Sequence, residues 1–104
     1  MDVLIDNKQD LIKTLNEHKN DIKNFGVERM GLFGSFVKDA AIHSGSDVDL
    51  LIEFEKGKKT FDNFIELSFY LEKILNRKVE LVTPQSLSKY SGHRILNEVE
   101  YVSL

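Results

Sequence analysis

Apolar positions recur along this chain with two different periods. In residues 7–24, Leu11, Ile12, Leu15 and Ile22 follow helical spacing, and Phe25 extends the stripe. Asp6 or Asn7 can cap that segment and Gly26 stops it, so the spacing predicts a first helix ending near Asn24. Residues 27–33 read as a strand broken by Gly34, and 35–41 as one or two helical turns before the loop His43-Ser44-Gly45-Ser46. Residues 48–54 form a second strand whose leading half, Val48 to Ile52, is apolar on both faces apart from Asp49. Such a strand belongs in the middle of a sheet.

A polar turn around Gly57 leads to Thr60, the predicted cap of a helix over 61–75 with Phe64, Leu67, Leu71 and Ile74 or Leu75 turned inward. Residues 76–77 turn into a third strand over 78–82, and Thr83-Pro84 places a cap before a proline at the first helical position. A short helix and a second one over 93–99 follow. Residues 100–104 are too few to assign. The order of elements predicts an α/β (α+β) fold: a small mixed sheet of three strands with helices packed largely on one face.

Composition narrows this picture only modestly. A chain of 104 residues builds one domain, expected over 1–104, and 41% apolar with 30% charged residues is ordinary for a globular protein. The absence of cysteine excludes thiol catalysis, disulfides and thiolate metal sites. The first six residues lack the basic and apolar regions of a signal peptide, and no run approaches the ~20 apolar residues that span a bilayer. The expected location is the cytoplasm, with no membrane association. A net charge of −3 with scattered lysines argues against binding long nucleic acid, whose affinity comes mostly from phosphate neutralisation. A metal-bound polyphosphate remains compatible.

The chemistry concentrates in two short stretches. Gly34-Ser35-Phe36 stands where a strand becomes a short helix, a place where glycine lets backbone approach an anion and the Ser35 hydroxyl and amides can donate to phosphate oxygens. After ten residues come Asp47-Val48-Asp49, two carboxylates that alternation turns to one face, with Cβ atoms roughly 6–7 Å apart. Hard oxygen donors at that spacing suit Mg²⁺, as one shared ion or a pair. Each stretch alone has a plain structural explanation, a strand-ending glycine and solvated loop aspartates; their conjunction at the head of an apolar strand favours the chemical one. His18, His43 and His93 lack metal-ligand spacing, and the phenylalanines are read as core or interface.

These residues carry a family resemblance. Leu32-Phe33-Gly34-Ser35-Phe36 with Ser46-Asp47-Val48-Asp49-Leu50-Leu51 resembles the signature of the DNA-polymerase-beta-like nucleotidyltransferase superfamily. The short length, the stretch Arg77-Lys78-Val79-Glu80-Leu81-Val82-Thr83-Pro84 and a tail with Arg94-Ile95-Leu96 are similar to its minimal nucleotidyltransferases, the MNT domains. The resemblance runs nearly end to end and implies the nucleotidyltransferase fold. It further implies that Asp47, Asp49 and Glu80 hold two magnesium ions, with Glu80 also acting as base, and that Gly34 and Ser35 hold the β- and γ-phosphates of ATP. Glu80 departs from the aspartate more usual there, moving the carboxylate by roughly 1–1.5 Å, although related aminoglycoside nucleotidyltransferases use glutamate. Lys38 stands where the family often has arginine and is kept outside the primary site. By the same resemblance the expected partner is a HEPN-domain toxin, encoded adjacently, whose RNase activity is silenced by AMP placed on a tyrosine. Two other readings stay open: a non-catalytic antitoxin that occludes the toxin, and an aminoglycoside-type transferase acting on a small molecule.

Overall fold

The computed structural model describes residues 5–38, 42, 45–87 and 92–104. The expected second turn of the short helix, loop residues His43 and Ser44, and the side chains of Ser35 and Lys38 lie outside the described residues. Helix α1 (Lys8–Glu17) begins where the Asn7 side chain accepts the Asp10 N–H at 2.8 Å. The apolar stripe continues past its end, but the helix does not. His18 leaves helical geometry (φ −109°, ψ 17°) with its N–H bonded back to the Asn16 and Leu15 carbonyls, and α2 (Lys19–Asn24) restarts after it. The single helix expected from periodicity is therefore two, both buried through the same stripe: Leu11, Leu15 and Ile22.

Strand β1 (Val27–Phe33) leads through Gly34 into α3 (Ser35–Lys38) and then to β2 (Val48–Phe54), which returns antiparallel to β1. Helix α4 (Phe61–Leu75) is capped by Thr60, whose Oγ1 accepts the Asn63 N–H at 3.1 Å. It ends at Asn76 in the left-handed region (φ +52°). This helix supplies the crossover that a parallel neighbour requires, and β3 (Val79–Val82) pairs parallel with β2. A 3₁₀ turn (Pro84–Ser86) and helix α5 (Gly92–Glu98) follow.

The last residues then form a strand that periodicity left unassigned. Strand β4 (Glu100–Val102) pairs antiparallel with β1, Tyr101 opposite Gly31, giving the order β3-β2-β1-β4. Three residues carry too little alternation to read, and it is pairing along β1 that defines the strand. The sheet is mixed, as expected, with β2 and β1 central.

One face of the sheet carries the core. Val27, Met30, Leu32, Val48, Leu50 and Ile52 pack against Leu11, Leu15 and Ile22 and against Leu67, Leu71 and Leu75 of α4. Alternation sends Gly31, Asp49, Leu51 and Glu80 to the opposite face. Leu51 is fully buried there, and a Cβ on Gly31 would come within 2.3 Å of Val99 Cγ2, so the chain between α5 and β4 crosses that end of the face closely. Among the described residues no helix is long and apolar enough to cross a membrane.

Candidate active site

Two register relationships gather the acidic residues. Antiparallel pairing sets Phe33 opposite Asp49, so Gly34, the next residue, arrives beside the Asp49 side chain. Parallel pairing sets Asp49 beside Glu80. The head of this parallel pair is held from both strands: Val48 donates its N–H to the Lys78 carbonyl at 2.9 Å, and the Val79 N–H goes to the Glu72 carboxylate at 3.1 Å.

The register sets the Asp49 and Glu80 carboxyl groups side by side on one face of the sheet. The Asp49 pKa is pushed up to about 6, first by burial, then by the neighbouring Glu80 carboxyl group, and last by the charge of Asp47. Asp47 immediately precedes β2 and is exposed at the rim of the pair. Among the described residues no three His, Cys, Asp or Glu side chains converge as a ready-made metal cage. The structure thus brings two of the three expected carboxylates together and leaves the third within Coulombic reach. Like charges cannot close upon one another without a cation, and two neighbouring carboxyl groups with a third carboxylate at the rim form a place where a cation would relieve that repulsion.

Gly34 completes the close packing. Its φ is +76°, a conformation L side chains rarely adopt, and a Cβ there would lie 2.4 Å from Asp49 Oδ2. Backbone at the start of α3 is therefore pressed against the Asp49 carboxylate, the proximity a phosphate held by the turn and a cation held by the carboxylates would need. Hard oxygen donors, one of them perturbed by its like-charged neighbours, fit Mg²⁺. For the two carboxylates the register joins, the position of Glu80 resolves an ambiguity of its strand: periodicity could not choose which residues of β3 face Asp49, and pairing does.

One residue near this site escaped sequence reasoning. Arg77, read as part of a turn, is only 6% exposed and donates to the Ser46 carbonyl at 2.8 Å. No local pattern marks an arginine for burial, because its acceptors come from distant parts of the chain.

Comparison with known proteins agrees with this geometry. The sequence profile of the nucleotidyltransferase domain matches residues 13–102. A protein adenylyltransferase, MntA, of Thermococcus cleftensis is 39% identical over 95 residues, covering 90% of this chain and 94% of its own. Among solved structures, one described as a minimal nucleotidyltransferase superposes with a TM-score of 0.69 at 28% identity, covering 89% of this chain and 95% of its own. A chain from a toxin-antitoxin crystal structure with AMP-PNP shares the fold at 22% identity, TM-score 0.65, over 93% of this chain and 73% of its own. With the profile and the MntA relative each spanning nearly the whole sequence, this chain belongs to the nucleotidyltransferase domain family, as a minimal, MntA-like nucleotidyltransferase.

Proposed function

We propose that this nucleotidyltransferase is a magnesium-dependent adenylyltransferase antitoxin. It transfers AMP from ATP to a hydroxyl, a tyrosine in our reading, of an adjacently encoded HEPN-domain RNase toxin and so neutralises it. The observation that carries the reading is Asp49, paired in register with Glu80 and with Gly34 pressed against it. The relative from Thermococcus cleftensis is named a protein adenylyltransferase, and fold neighbours come from MntA-HepT toxin-antitoxin complexes, which supports both the donor and the partner class.

In this reading Asp47, Asp49 and Glu80 hold two magnesium ions, and Gly34 and Ser35 hold the β- and γ-phosphates. When bound, the metal neutralises the triphosphate and makes the acceptor hydroxyl easier to deprotonate. Gly34 lets the backbone at the start of α3 lie against the carboxylates without a side chain intervening. Glu80 is exposed, next to the more enclosed Asp49, and its carboxylate accepts the hydroxyl proton. The acceptor oxygen bonds to the α-phosphorus as the bond to the bridging oxygen breaks, and pyrophosphate leaves. A cation bound there would favour the ionised form of Asp49, offsetting the burial that raises its pKa.

Incubation with α-labelled ATP, magnesium and the product of the adjacent gene tests this. Label is expected on the partner protein, and Glu80→Gln is expected to retain the fold while transfer falls on the order of a hundredfold or more. Tight co-purification with no label on the partner would instead make the chain an occluding antitoxin.

A further inference from the structure

Arg77 connects three segments that are far apart in sequence. Its Nε–H donates to the Ile5 carbonyl, which precedes α1. Its Nη1 donates to the Ser46 carbonyl at 2.8 Å, one residue before Asp47. Its guanidinium carbon lies 5.2 Å from the centroid of the Phe36 ring, which is fully buried two residues after Gly34. The guanidinium is thus seated behind the candidate site, touching the segment leading into the aspartates and the segment that follows Gly34.

Its chain neighbours reinforce the placement. The Lys78 carbonyl receives the Val48 N–H, the Val79 N–H is taken by Glu72, and Glu80 pairs with Asp49. Four consecutive residues of the entry to β3 therefore each fix part of the site, and Arg77 is the member that reaches both Ser46 and Phe36. A buried charge needs partners, and Arg77 has two backbone carbonyls, at Ile5 and Ser46, and the aromatic face of Phe36. A planar fork can serve these partners simultaneously; a lysine ammonium, a compact point charge on a flexible stem, cannot.

We infer that Arg77 is a positioning residue for nucleotidyl transfer: it sets the distance between the Ser46–Asp49 segment and the Gly34–Phe36 turn from behind the site. The inference rests on the proposed function. A merely structural arginine would contribute to stability alone. A positioning arginine also controls how the two segments meet the magnesium-triphosphate, where an error of ~1 Å can cost on the order of a hundredfold.

The test compares Arg77→Lys with the parent in the presence of the adjacent gene product. Two quantities are read well below the melting temperature: the dissociation constant for magnesium–AMP-PNP, and the transfer rate at saturating ATP per folded molecule. Positioning predicts a transfer rate lowered about a hundredfold and analogue binding weakened about tenfold, in a protein whose circular dichroism is unchanged. A lowered Tm with analogue binding and rate both within twofold of the parent would overturn it. Should Arg77→Lys fail to fold, Phe36→Leu removes the ring against the guanidinium and leaves both carbonyl contacts; the same joint loss is expected at several-fold amplitude, and its absence overturns the inference. Asp49→Asn is the control for the underlying reading. If it transfers like the parent, the proposed function fails; if it is inactive while Arg77→Lys is parental, only the role of Arg77 fails.

Discussion

Asp49→Asn is expected to lose nucleotidyl transfer by about a thousandfold or more and to become more stable at neutral pH. The two effects have one cause. In the folded chain Asp49 has a pKa of about 6 against an ordinary 3.8, because burial and the charges of Glu80 and Asp47 penalise its ionised form. The folded state therefore binds a proton that the unfolded state has already released between these values. The sign follows: the stabilisation is fully present below pH 3.8 and is lost as pH rises through about 6. Above that, the ionised aspartate destabilises the metal-free fold. Solvent reaches part of the site, so the contribution is on the order of 1 kcal/mol, a few degrees in Tm. Asparagine removes that penalty and also removes an oxygen donor needed by a divalent cation. Thermal melts from pH 4 to pH 8 check this: the parent should lose stability relative to Asp49→Asn across the window. Magnesium should recover stability in the parent increasingly above pH 6 and have little effect on the variant. Stability gained where activity is lost is the signature of a site held under electrostatic strain.

Gly34→Ala is the second change with a large expected effect. The added methyl meets two obstacles. At φ +76° an L residue is disfavoured by roughly 1–2 kcal/mol, and its Cβ would lie 2.4 Å from Asp49 Oδ2. Backbone or carboxylate must move, and either motion separates the turn from the carboxylate pair. Transfer is expected to fall about a hundredfold with a loss of several degrees in Tm. Gly57 provides an internal control. It adopts φ +80° with nothing within 4 Å of its would-be Cβ, so Gly57→Ala should show a comparable loss of stability and unchanged transfer per folded molecule. If Gly57→Ala and Gly34→Ala reduce transfer equally, the contact with Asp49 is not what matters.

The legible part of this molecule was the part written in local pattern. The two-faced apolarity of residues 48–52 marks a central strand, and Asp47 and Asp49 at its head announce a polar function in an apolar setting. Thr60 and Asn7 cap the helices that periodicity predicts. What could not be read was set by contacts between distant segments. The apolar stripe of the first helix continues through His18, so nothing in its spacing reveals the break. Strand β4 is too short for alternation and exists by pairing with β1. The face of Glu80 depended on parallel register with Asp49, and the burial of Arg77 on carbonyls at positions 5 and 46. Asp47 shows the reverse difficulty. Strand alternation places it on the face of Asp49, and it lies just before the ladder begins, where pairing does not by itself fix its direction.

A crystal grown with AMP-PNP and Mn²⁺ in place of magnesium locates the cation directly through its anomalous signal. Metal is expected on Asp49 and Glu80, with Asp47 turned in to join them and the triphosphate against Gly34. Metal and nucleotide bound elsewhere, away from Asp49, Glu80 and Gly34, would contradict this assignment.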